Sequence, residues 1–356
     1  MFAGLTIGRY RVPYPLLQGG MGVRISGGRL AGNVARCGGI GVVASAGLGL
    51  DLPTYNGGNF FESDALALKE ELRKARAIAP EGVIGVNCMV AVSDYDTNVR
   101  AACEGGANLI VCGAGLPLSL PKLVKDYPEV AIVPIVSSVK AIELICRKWE
   151  RHERLPDAVV VEDPETAGGH LGEHFEDIGT GKYDQYGTVR GVKAWLREFA
   201  GHDIPVIAAG GIWDRGDVLH ALSEGADGVQ MASRFVCTEE CDADAAYKQA
   251  YLDCTKEQIG LIMSPVGLPG RAILNNIPYI EQYDAQRGFV CPCRCLKRCV
   301  YRETGTHYCI VHSLNRAQQG DVKTGLIFCG SNAWRSDHIG TVREIFDELF
   351  ADEKTA

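Results

Sequence analysis

Eight short apolar runs, each closed by glycine or a polar residue, recur along the chain at 14–18, 41–44, 82–87, 108–112, 130–136, 157–161, 204–208 and 228–231. Segments of helical periodicity lie between most of them, as at 139–150, 188–199 and 214–224. Apolar runs with little polar alternation are the pattern of parallel strands buried on both faces. Eight such strands alternating with helices predict an α/β chain closed as a (β/α)8 TIM barrel. An internal echo agrees: Glu104-Gly105-Gly106-Ala107 leads into one run and Glu224-Gly225-Ala226-Asp227 into another, each reading as helix, glycine stop and strand. A doubly wound open sheet is the competing architecture, but it would place G-x-G-x-x-G after the first strand, and none opens a helix there.

At 356 residues, 46% hydrophobic and 22% charged, the chain can bury a large core and lacks the bias of disordered, collagenous or coiled-coil sequences. The division expected is a barrel over 1–255 and a C-terminal cysteine-rich extension over 256–356, with a cysteine loop at 291–309 and a last helix packing back on the barrel. A net charge of −8 argues against a nucleic-acid surface. No apolar run reaches the roughly 18 residues of a membrane span, and the first 15 residues do not read as a leader. A soluble, cytoplasmic protein is expected.

Barrel enzymes carry their chemistry at the C-terminal ends of the strands. The residues there are rich in glycine and small polar side chains, as a flat phosphorylated cofactor requires. Gly210-Gly211 follows the seventh run and Met231-Ala232-Ser233 the eighth, where barrels bind phosphate through backbone N–H groups. A lone glycine pair often only turns a chain; two such features on adjacent loops favour phosphate. His170, in a glycine-flanked loop after the sixth run, suits a general base because its ordinary pKa lies near neutrality.

Of the 14 cysteines, six fall between Cys291 and Cys329. Cys291, Cys295, Cys299 and Cys309 are spaced C-x3-C-x3-C-x9-C. On one continuous helix Cys291 and Cys299 would stand about 12 Å apart, so ligation of one cluster needs a folded-back loop, at which Pro292 hints. An iron–sulfur cluster is the favoured reading. Zinc is less favoured because paired C-x2-C knuckles are absent, and a set of free thiols is the plain alternative. Cys293 and Cys329 are left out of the ligand set.

Five motifs in order, Pro15-Leu16-Leu17-Gln18-Gly19-Gly20-Met21, Gly85-Val86-Asn87, Ala167-Gly168-Gly169-His170, Ala209-Gly210-Gly211-Ile212 and Gly228-Val229-Gln230, resemble the nitronate monooxygenase family of FMN-dependent barrels, which includes enoyl-ACP and quinone reductases. The resemblance covers roughly residues 10–275. It implies FMN, contacted at Gly20, Met21, Gly22, Asn87, Gly169, Gly210, Gly211, Met231, Ala232 and Ser233, with His170 as catalytic base. The family's Glu-Ala-Gly-Gly-His run is lengthened here to Glu165-Thr166-Ala167-Gly168-Gly169-His170, which leaves the role of Glu165 open.

With the cysteines, Ser264-Pro265-Val266-Gly267 and Tyr308-Cys309-Ile310, the chain resembles one subgroup, bacterial flavin and [4Fe–4S] acyl-ACP dehydrogenase/isomerases. That implies dehydrogenation of a medium-chain acyl-ACP to its trans-2-enoyl form and isomerisation to cis-3. The alternatives are nitronate oxidation with O2, NADH-dependent flavin, quinone or enoyl-ACP reduction, and a non-enzymatic iron–sulfur sensor on a barrel scaffold. Arg294, Lys297, Arg298 and Arg302 are the candidate docking patch for the acidic carrier, or the counter-charge of a cluster. A homodimer is a further option.

Overall fold

The computed structural model describes residues 2–287, 291 and 293–351. In chain order its strands are β1 Leu5–Ile7, β2 Tyr10–Val12, β3 Leu16–Gln18, β4 Ile40–Ala44, β5 Val83–Met89, β6 Leu109–Gly113, β7 Ala131–Val136, β8 Val159–Glu162, β9 Gly169–His170, β10 Val206–Ala209, β11 Gly228–Met231, β12 Ile259–Met263 and β13 Pro269–Ile273. β3 to β8 with β10 and β11 pair in parallel and close into a barrel, β11 against β3 and β10 against β8. The predicted (β/α)8 barrel is the observed architecture.

Period-two alternation divides the strand side chains between two cores. Leu17, Val42, Leu109, Val111, Val133, Val160 and Ile207 point inward and pack with one another. Their neighbours Leu16, Val43, Ile110, Ile132, Val159, Val161 and Val206 face the surrounding helices. Both faces of the barrel strands are therefore largely apolar, which is why the runs showed little polar alternation. The antiparallel hairpin β1–β2 adds Leu5, Ile7 and Val12 to the inner core and stops the N-terminal floor of the barrel.

One device repeats on that floor. The Asn108 side chain accepts the Ile84 N–H at 2.8 Å, Asp157 accepts that of Ile132 at 2.8 Å, and Asp227 that of Val206 at 2.9 Å. Each acceptor also meets a cation, Arg76, Arg154 and Lys193 respectively. The internal echo in the sequence is the trace of this device, since Asn108 and Asp227 follow the two matching glycine stops.

Residues beyond the barrel do not stand apart as a cysteine-rich extension, which corrects that part of the expectation. The hairpin β12–β13 joins β9 in a three-stranded antiparallel sheet, so this segment is woven into a barrel loop. The last helix, Val342–Phe350, opens with a capping box between Thr341 and Glu344 and buries Val342, Ile345, Phe346, Leu349 and Phe350, a stripe at 3- and 4-residue spacing. Phe350 stacks on Tyr14 at 4.6 Å, and Arg215 donates to the Leu349 carbonyl at 2.9 Å. Among the described residues no helix is long and apolar enough to cross a membrane.

Candidate active site

A cavity of ≈ 230 Å³ opens over the C-terminal ends of the barrel strands. Gly20, Met21, Gly22, Asn87, Gly169, His170, Gly210, Gly211, Met231, Ala232 and Ser233 all line it. Strand direction explains the convergence: Asn87 lies near the C-terminal end of β5, and the others end a barrel strand or lie in the segment that follows one.

The glycines are there for distinct reasons. A Cβ on Gly20 would come within 2.4 Å of the Asn87 Cβ, so only hydrogen lets the β3 loop lie against β5. Gly211 has φ +72, in the left-handed region, and a side chain there would also press on Thr166 at 3.1 Å. Around this bare backbone, Gln185 donates to the Ala209 carbonyl at 2.9 Å, Asn332 to the Gly211 carbonyl at 2.7 Å, and the Gly330 N–H to Ser233 Oγ at 2.8 Å. The loops after the seventh and eighth barrel strands are thus fixed to each other and to 330–332. They form a side-chain-free cradle with a hydroxyl at its edge, which fits a phosphate.

His170 is held from three sides. Its Nε2 lies 2.8 Å from the Ser264 hydroxyl, and its ring meets Phe328 edge-on at 5.0 Å. Its backbone pairs with Gly270 of β13. Burial pulls its pKa down to about 4, because a charged imidazolium would lose hydration in this setting. The ring is neutral at physiological pH and free to accept a proton. Arg271, buried beside it, donates to the Ala167 carbonyl, to that of Glu165 at 2.9 Å and to that of Pro164 at 3.3 Å. One guanidinium therefore fixes the loop that carries His170.

Glu162 and Glu165, on either side of Asp163, differ. Glu162, at the end of β8, lines the cavity, and burial with the adjacent Asp163 pushes its pKa up to about 7. Glu165 is not among the cavity residues: its Oε2 accepts the Gly179 N–H at 2.6 Å, bracing the next turn.

The cysteine segment overturns the iron–sulfur expectation. Among the described residues, no group of three or more His, Cys, Asp or Glu side chains is disposed to hold a metal ion. Cys291, Cys295, Cys299 and Cys309 instead pack in the apolar core with Leu296, Tyr301 and Ile310. Burial raises the Cys291 thiol and pushes Cys309 to about 12, and Cys295 is raised first by its hydrogen bond to Cys293, so these three thiols keep their protons. The [4Fe–4S] cluster, zinc at those ligands and the iron–sulfur subgroup are withdrawn together. The hint taken from Pro292 lies outside the described residues. Two of the patch cations are engaged by backbone carbonyls: Lys297 donates to that of Val90, just after β5, at 2.7 Å, and Arg302 to those of Leu296 and Lys297 at 2.9 and 3.1 Å. Arg294 and Arg298 are exposed.

Sequence reading missed Ser264, Arg271 and the wall formed by Phe328, Cys329, Gly330, Ser331 and Asn332. Ser264 stood in a quoted motif, yet nothing local tied it to His170, 94 residues away.

The closed parallel barrel and its family match make the chain an FMN-binding, flavin-dependent oxidoreductase. The family model described as nitronate monooxygenase matches residues 5–352, and the chain belongs to that family. It is 26% identical over 284 residues to the (3aS,4S,5R,7aS)-5-hydroxy-7a-methyl-1-oxo-octahydro-1H-indene-4-carboxyl-CoA dehydrogenase of Mycobacterium tuberculosis, covering 80% of this chain and 70% of that one. A Staphylococcus saprophyticus protein named "Probable nitronate monooxygenase" is 26% identical over 302 residues, covering 78% of this chain and 80% of its own. FabK from Thermotoga maritima shares the fold, with a TM-score of 0.70, 24% identity, and coverage of 95% of this chain and 92% of that one.

Proposed function

We propose that the chain oxidises alkyl nitronates, with O2 as the final acceptor. The family match supports this reading, and the observation that carries it is the neutral His170 ring, paired with Ser264, at a cavity wall. A nitronate is the conjugate base of a nitroalkane and needs no base of its own; where the neutral nitroalkane binds, His170 takes its α-hydrogen and leaves the nitronate to be oxidised. For the ring to take a proton at Nδ1, Nε2 must carry the hydrogen and donate it to the Ser264 hydroxyl, and that bond persists after the proton arrives.

Gly210, Gly211, Ala232 and Ser233 are assigned to the phosphate of FMN. Gly20, Met21, Gly22, Asn87, Gly169 and Met231 are assigned to the remainder of the cofactor. FMN, when bound, supplies the electron acceptor.

A second reading, dehydrogenation of an acyl thioester, is favoured by the mycobacterial relative, whose name is that of a carboxyl-CoA dehydrogenase. A thioester α-hydrogen would go to the same base. The shift of the double bond to cis-3 rested on the iron–sulfur subgroup and is withdrawn with it. Anaerobic mixing of the flavoprotein with nitronates and with acyl-CoA or acyl-ACP thioesters separates the two. Flavin bleaching by nitronates alone supports the proposal, and bleaching by thioesters alone replaces it with the second reading.

A further inference from the structure

Gln18, the last residue of β3, belongs to the first glycine motif, yet it is fully buried and is not among the residues that line the cavity. Its followers Gly19, Gly20, Met21 and Gly22 do line it. The seam beside Gln18 is short. β4 pairs with β5 along all of Ile40–Ala44, but with β3 only at Ile40, opposite Leu17. Two residues on, the Val42 N–H donates to Gln18 Oε1 at 3.0 Å, a side-chain carbonyl where a longer β3 would offer a backbone one.

The other end of the same amide turns forward. Nε2 donates to the Gly19 carbonyl, while the Gly19 N–H donates to the Met231 carbonyl of β11 at 2.8 Å. An amide supplies an acceptor at one atom and a donor at the other, so both bonds together fix which way Gln18 faces. The backbone can then leave the sheet at Gly19 and cross the barrel mouth.

That crossing strip is bare because its flanks are close. A Cβ on Gly19 would come within 3.1 Å of the Ala232 Cβ, on the side away from Asn87. Glycines do not hold a conformation by themselves, so the strip is held at its ends. Gln18 fixes one end. Buried Ser26 fixes the other, its Oγ accepting the Met21 N–H at 2.6 Å and its N–H donating to the Met21 carbonyl at 3.0 Å.

We infer that Gln18 is a positioning residue for the cofactor, its amide setting the course of the 19–22 strip without lining the cavity itself. The inference rests on the assignment of Gly20, Met21 and Gly22 to FMN.

The test compares Gln18→Glu and Gln18→Met with the wild type. Kd for FMN is measured by diluting the loaded full-length protein and reading the fluorescence of released flavin, from mildly acid to mildly alkaline pH. Each variant's Kd is divided by the wild-type Kd at the same pH. A protonated glutamic acid matches the amide in shape and both donates and accepts; ionised, it only accepts, and it faces the Gly19 carbonyl oxygen. Relative Kd for Gln18→Glu should stay near one at acid pH and rise about tenfold or more as the carboxyl ionises, the scale of a buried acceptor left without its donor. Gln18→Met has neither group and should bind that much more weakly at every pH. A Gln18→Glu that binds as the wild type throughout, beside a weak Gln18→Met, has the same meaning, because burial then keeps the acid protonated.

A relative Kd near one for both variants overturns the inference. So does a Gln18→Glu weakened equally at every pH. Failure of both variants to fold at any pH makes Gln18 a rung of the barrel alone and overturns it too. Wild-type protein that binds no FMN refutes the cofactor assignment and takes the inference with it, whereas wild-type binding with both variants unaffected refutes the inference alone.

Discussion

His170 Nε2 and Ser264 Oγ lie 2.8 Å apart, although 94 residues separate them in the chain. The bond exists because β13 pairs with β9 and brings the turn before it over the histidine ring. Ser264 also receives the Val266 N–H at 3.3 Å, so its own position is fixed by the turn. Ser264→Ala should leave FMN content and KM close to wild type and lower kcat about tenfold, the scale of one oriented hydrogen bond. Ser264→Thr should restore part of the loss. A wild-type kcat in the alanine variant would remove the positioning role.

His170→Ala should retain flavin and lose turnover by about 10²- to 10⁴-fold. In the wild-type protein, burial sets the sign of the pH dependence. The neutral ring is the active form, so kcat should hold level from neutrality downward and fall as pH drops through about 4. The folded-state pKa lies below the ordinary value, so this group's contribution to stability is complete above about 6.5 and weakens as pH falls toward 4. Rapid mixing from neutral buffer separates the two effects. A kcat that falls near pH 6.5 would show a solvated histidine instead.

Gly211→Val should yield colourless protein. Its backbone sits at φ +72, and the new side chain would press on Thr166 where the phosphate is assigned. Absorbance of the purified variant near the oxidised flavin maximum, against total protein, checks this. Stoichiometric flavin would show that the phosphate lies elsewhere.

Arg271→Met removes the donor shared by the carbonyls of Pro164, Glu165 and Ala167. Buried acceptors left without partners should cost about 2–4 kcal/mol in total. Denaturant unfolding of the variant measures that loss, and activity should fall with it because the same loop carries His170. A change below about 0.5 kcal/mol would mean that water replaces the guanidinium.

The barrel was legible because parallel strands covered on both sides must be apolar throughout, and 41–44, for example, lies inside β4. The place of His170 and Gly210-Gly211 at the cavity was legible because both follow apolar runs, at the strand ends where a barrel opens. Ser264 and Arg271 were not, since their meaning comes from a strand of two residues, Gly169–His170, that has no periodicity to read. Cysteine spacing misled for a related reason. Spacing counts residues along the chain, whereas ligation depends on where each side chain points, and Cys295 is turned toward Cys293.

The acceptors Asn108, Asp157 and Asp227 sit at the closed end of the barrel, and the reacting groups at the open end. Strand alignment is therefore set where no substrate comes. Changes in the loops at the open end leave those three bonds untouched. The evolvable surface of this molecule and its structural anchor are on opposite ends, and selection can rewrite one while holding the other fixed.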